Sequence, residues 1–108
     1  MKTVNLLDNL AWTDSEGPGH AQALHYDEHG RALRWTLRPG QAVQEFTTQQ
    51  TPIYLIVLQG QGMFAGADGQ EALRGPNSLV IFDQGEKHSA RALDEDLVFV
   101  AILHEGGR

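Results

Sequence analysis

The stretch Ile53–Gly69, IYLIVLQGQGMFAGADG, sets the fold class. It starts with an uninterrupted apolar run, Ile53–Leu58, whose length and β-branched content suit a buried strand. Gln59-Gly60 reads as a turn that sends the chain back through Gly62–Ala67. Asp68-Gly69 carries the strongest hairpin signal in the chain, because a two-residue type I′ turn demands φ > 0 at both central positions. Strand, turn, strand, turn is an all-β rhythm.

The same rhythm continues on both sides. Toward the N-terminus, Ala21–Tyr26 and Leu33–Leu37 flank a hairpin tip at His29-Gly30, and Pro39-Gly40 starts a new direction. Toward the C-terminus, Leu79–Phe82 is closed by Asp83-Gln84-Gly85. Ser89–Ala92 and Leu97–Leu103 then flank the acidic loop Asp94-Glu95-Asp96 as a final hairpin. Helical periodicity is confined to Val4–Trp12, which could turn once or twice or run as an extended arm. Short strands with turn signals about every ten residues indicate a sandwich or barrel. The 108 residues make one domain, with an arm over 1–20 and a barrel over 21–104.

Parity in the final hairpin says more. Pairing Leu93 with Asp96 places Ala101 opposite His88, so His88, Ala90, Phe99, Ala101 and Leu103 share one face. Val98, Val100 and Ile102 share the other, which is too apolar for open solvent. A small barrel has one interior, so this second face needs a cover. A homodimer is the simplest one.

Composition removes several function classes. Eight basic against 14 acidic residues give a net charge of −6, against a nucleic-acid footprint or a polybasic membrane patch. No apolar run approaches the roughly 18 residues of a membrane span, and Met1-Lys2-Thr3-Val4 leads into no signal-peptide core. A soluble cytoplasmic protein is expected. The absence of cysteine excludes disulfides, thiolate metal sites and a cysteine nucleophile. No serine sits in a nucleophile elbow, and Gly60-Gln61-Gly62 leads into a strand, which makes it a hairpin turn and no dinucleotide fingerprint. Five histidines in so short a chain raise the question of a metal site.

Ile56-Val57-Leu58-Gln59-Gly60-Gln61-Gly62 resembles the strand-and-turn end of the first motif of the cupins, small β-barrels of jelly-roll type. Counting back from Gly60, the family's Glu slot holds Ile53 and its two His slots hold Thr47 and Gln49. Pro39-Gly40 is similar to the motif's opening Pro-Gly. The second motif is matched at Gly85 and His88, with Asp83 in its Pro slot, Asn77 in its Gly slot and Ala92 in place of its Asn. Asn is a physically reasonable substitute there, because it tolerates a left-handed backbone. The resemblance runs from Leu33 to Leu103. It implies an all-β double-stranded β-helix, a jelly-roll barrel of the small single-domain kind.

In metal-binding cupins three His and one Glu, or a fourth His, converge on a divalent ion. Thr47, Gln49 and Ile53 supply a hydroxyl, an amide and a hydrocarbon, so the resemblance implies a degenerate metal site with no metal and no cofactor. His20, His25 and His29 fall in or near the first hairpin and are expected in solvent, and His104 at the rim of the last strand. His88 is either a core imidazole or the titratable group of a cavity. Arg34 and Arg38 would clamp an anion if they faced inward, but Leu33, Trp35 and Leu37 make the better interior. Glu86 and Lys87 read as solvated turn charges, and Tyr54 and Trp35 as packing.

The expected pocket is mixed polar and apolar, with Phe46, Thr47, Gln49, Ile53, Val57 and His88 around an unidentified small molecule. Two alternatives stand beside it. One is an enzyme: a metal-dependent dioxygenase or isomerase using His88 with atypical ligands, or a metal-free isomerase like the family's sugar epimerases, which rely on a His and a Tyr. The other is a non-catalytic regulatory or partner-binding module using the Val98, Val100 and Ile102 strip.

Overall fold

The computed structural model describes residues 1–14, 17–46 and 51–104. Nine strands follow one another without a helix among those residues: β1 (His20–Asp27), β2 (Gly30–Leu37), β3 (Ala42–Phe46), β4 (Ile53–Gln59), β5 (Gly62–Ala65), β6 (Glu71–Arg74), β7 (Leu79–Phe82), β8 (His88–Ala92) and β9 (Leu97–His104). They form a five-stranded sheet in the order β1-β2-β9-β4-β7 and a four-stranded sheet in the order β3-β8-β5-β6. All pairings are antiparallel. The all-β expectation holds, and the two sheets face each other around one core.

Register explains the core. On the larger sheet, side chains one position apart point to opposite faces, so aligned residues form rows across strands. Arg31, Leu103, Ile53 and Phe82 make one inward row, and Leu33, Ala101, Leu55 and Val80 make the next. Trp35, Phe99 and Val57 follow, then Leu37 with Leu97. From the smaller sheet, Val43, Ala90 and Phe64 align against them, with Phe64 edge-on to Phe99 at 5.7 Å between ring centroids.

Two expected hairpins are something else. β4 and β5 lie in different sheets, so Gly60-Gln61 carries the chain across the barrel. Gly60 has φ +78°, and a Cβ there would stand 1.9 Å from the Asp96 carbonyl oxygen, so only glycine passes. Likewise β8 and β9 belong to opposite sheets and do not pair. The inward assignment of His88, Ala90, Phe99, Ala101 and Leu103 survives for a different reason: each half faces the core from its own sheet. Asp68-Gly69 does lie in a true hairpin between β5 and β6. Only Gly69 has positive φ there, and its N–H bonds the Gly66 carbonyl, so the turn is longer than type I′. Asn77, in the expected left-handed position, has φ 70°.

Part of the apolar outer face is covered from within the chain. Residues 1–14 run as an extended arm that turns where the Asp8 N–H bonds the Asn5 carbonyl. It lies against β1 and β2. Arg34, only 2% exposed, donates to the carbonyls of Leu6 (2.9 Å) and Asn9 (3.3 Å) and to Gln22 Oε1 (2.8 Å). Thr36 Oγ1 donates to the Ala11 carbonyl, and the Arg38 guanidinium sits 4.4 Å over the Trp12 ring. Arg34 and Thr36 are register partners of Val100 and Val98, which are 4% and 0% exposed in the single chain. Val98 and Val100 are therefore buried without a second copy, whereas Ile102, the third residue of the strip, is only half-buried. Exposed apolar side chains gather instead at the other end of this face, where Ile56, Leu79 and Ile81 lie on β4 and β7.

Arg34→Ala removes two hydrogen bonds that hold the arm and a third to Gln22 of β1. It is expected to lower stability by about 2 kcal/mol in denaturant unfolding and to open the chain near Trp12 to limited proteolysis. Unchanged stability and protection would show that the arm is held by other contacts.

Candidate functional site

Where the first two inward rows face β8, the sheets leave a cavity of about 70 Å³. One water needs roughly 10–15 Å³ of such space, so this one admits several waters or a small organic group. Leu33, Trp35, Ile53 and Leu55 make most of its wall, and Arg31 and His88 bring polar atoms to it. The alternation of β2 puts Arg31 there, because Arg31 shares parity with Leu33, Trp35 and Leu37. That parity was readable from the sequence, and Arg31 is the site residue it should have found.

His88 is 4% exposed at the start of β8. Its ring stacks on Phe82 with centroids 4.4 Å apart. Nδ1 lies 2.9 Å from the Glu86 carbonyl oxygen, which can only accept, so Nδ1 carries the proton and Nε2 is the lone-pair nitrogen. Burial pushes the imidazole below its ordinary value of 6.5, against the opposing effects of that hydrogen bond and the Glu86 charge. His88 is neutral at pH 7.

The turn before β8 is held by Glu86, which is no solvated charge. Its carboxylate accepts from the Asp83 N–H (2.8 Å) and the Ala67 N–H (2.9 Å), tying two loops together. Those two bonds hold the carboxyl below the usual carboxylate range. Gly66 leaves the room required, since a Cβ there would meet Glu86 Oε2 at 2.3 Å.

Of the residues expected around the pocket, Ile53 and His88 line the cavity. Val57 sits one row deeper, fully buried beside Phe99. Phe46 aligns with His88 through its backbone, and its side chain is not described. Thr47 and Gln49 lie outside the described residues. Arg34 and Arg38 point away from the core, as Leu33 and Trp35 required. His25 pairs with Asp27 at 2.9 Å, His29 is exposed at the hairpin tip, and His104 stacks on Tyr54 at the end of β9.

No group of three His, Cys, Asp or Glu side chains converges among the described residues. At the cavity, one imidazole is accompanied by Ile53, Leu55 and Leu103, which carry no lone pairs. The described donor set does not fit a divalent transition metal, which needs about four N, O or S ligands.

Solved structures share this architecture. An RmlC-like cupin protein from Desulfovibrio desulfuricans superposes with a TM-score of 0.82 at 22% identity, over 95% of this chain and 96% of that one. A Klebsiella pneumoniae protein with a double-stranded β-helix domain gives 0.79 at 18% identity, over 89% and 84%. KdgF from Halomonas sp. gives 0.75 at 16% identity, over 91% and 90%. No family model matches the chain, and no curated protein matches it in sequence. At these identities the likeness is one of fold, and the fold is the cupin double-stranded β-helix.

The depressed His88 pKa has a consequence for stability. As pH falls below about 6.5 the unfolded chain takes up the proton before the folded one does, so His88 contributes fully above that pH and progressively less below it. In urea unfolding at a series of pH values, His88→Gln should flatten the wild-type decline that begins near pH 6.5. Parallel wild-type and variant curves would show that His88 is not held neutral by the fold.

Proposed function

We propose that this cupin-fold chain binds a small organic molecule at the mouth of its barrel without a metal ion, with His88 orienting it. The observation that carries the reading is the open apolar cavity with a neutral, stacked and hydrogen-bonded imidazole in its wall. Mostly apolar walls with a few convergent polar groups are the usual character of a small-molecule site. His88 is fixed on both sides, by Phe82 and by the Glu86 carbonyl, so the ring needs no reorganisation to meet a ligand.

The enzyme alternative built on a His and Tyr pair finds less support. Tyr26 is exposed, and Tyr54 stacks on His104 away from the cavity. His88 thus has no phenol beside it to act as a complementary acid. Among the described residues, the donor set around His88 likewise favours an organic ligand over a metal-dependent reaction.

The test is a titration of the protein with isobutanol, a neutral probe of suitable size, followed at the indole N–H resonance of Trp35 by NMR. The chain has 2 tryptophans, so Trp12→Phe assigns the signal. A saturable millimolar shift is expected, abolished by the cavity-filling change Ala101→Leu. Absence of any shift would overturn the pocket. Stoichiometric Fe, Mn, Ni or Zn after refolding with those metals, lost in His88→Ala, would overturn its metal-free character.

A further inference from the structure

We infer that the ligand is a small monocarboxylate with an apolar body, held by the guanidinium of Arg31; this rests on the proposed pocket. Among the described residues Arg31 is the charged side chain in a wall otherwise built of hydrocarbon, the Trp35 ring and neutral His88. Its Nε is buried and makes no hydrogen bond.

The other described arginines are all engaged. Arg34 holds the arm, Arg38 pairs with Asp96 at 3.3 Å, Arg74 bonds the Leu73 carbonyl, and Arg91 grips Glu71 through Nε and a terminal nitrogen. In a chain with 14 acidic residues, a guanidinium at a cavity with no carboxylate among the described residues lining it is therefore a distinct arrangement. A buried N–H without an acceptor is costly, and a planar fork of donors matches a carboxylate edge in two parallel bonds.

Charge and size narrow the ligand. One guanidinium balances one negative charge, and among the described residues no second cation lines the cavity to balance a phosphate dianion. Leu33, Ile53 and Leu55 beyond it favour a short branched or unbranched hydrocarbon body. Arg31 lies in the row with Leu103 and Ile53, so a carboxylate bound to it leaves that body pointing along the cavity.

Isobutyrate and its uncharged counterpart isobutyramide separate the carboxylate assignment from the pocket itself. Wild-type protein should bind isobutyrate at least tenfold more tightly than isobutyramide, read from the Trp35 indole resonance at constant ionic strength. Arg31→Met and the milder Arg31→Gln should erase that preference while isobutyramide still binds. Inorganic phosphate should not compete with isobutyrate. Equal wild-type affinities, a preference that survives in a folded Arg31 variant, or competition by phosphate would overturn the carboxylate assignment and leave the pocket standing. No shift with either organic probe would overturn both. The wild-type comparison decides even if the variants fail to fold.

Discussion

The ladders that hold β9 between β2 and β4 determine which side chains meet inside the barrel. Trp35 aligns with Phe99 and Phe99 with Val57; Leu33 aligns with Ala101 and Ala101 with Leu55; Arg31 aligns with Leu103 and Leu103 with Ile53. A slip of one residue would exchange every one of these for its outward neighbour, placing Arg34 and Thr36 in the core. The large buried side chains Phe99, Leu37 and Leu97 fill the closed end. At the other end smaller Ala101 stands between Leu33 and Leu55, and the rows fail to meet β8 completely. The cavity opens beside that small residue, lined on the larger sheet by Leu33, Leu55, Ile53 and Leu103.

This sheet is apolar on both faces, and the second face constrains the rest of the chain. The arm before β1 packs on β2, fastened by a buried arginine whose acceptors are all neutral. Parity within Leu97–Leu103 is enough to show that Val98 and Val100 need a cover. It cannot show what provides it, because arm and sheet meet through backbone carbonyls, which leave no mark in the sequence. The strength of its Leu33, Trp35 and Leu37 neighbours turns Arg34 outward, yet its burial depends on residues more than twenty positions away.

Much of the barrel was readable locally. The apolar run Ile53–Leu58, the tip at His29-Gly30 and the left-handed Asn77 are each set by side-chain chemistry within a few residues. Turns that cross between sheets were not readable, since Gln59-Gly60 looks the same whether the next strand pairs with the last or faces it. β3 and β6 were missed because both are short edge strands with polar residues, which blunts the alternation signal. At the site, His88 and Ile53 were found through motif spacing. Arg31 escaped because it stands next to the hairpin tip, where a charged residue reads as solvated, although its inward parity placed it at the mouth.

The reading of the molecule as a binding protein thus depends on a physical opening between well-packed sheets. Xenon enters apolar cavities of this kind and is visible by anomalous diffraction. A crystal of the chain pressurised with xenon should show an atom among Leu33, Ile53 and Leu55, with the β2, β9 and β4 registers unchanged. A structure in which those side chains close the space and admit no xenon would contradict the account.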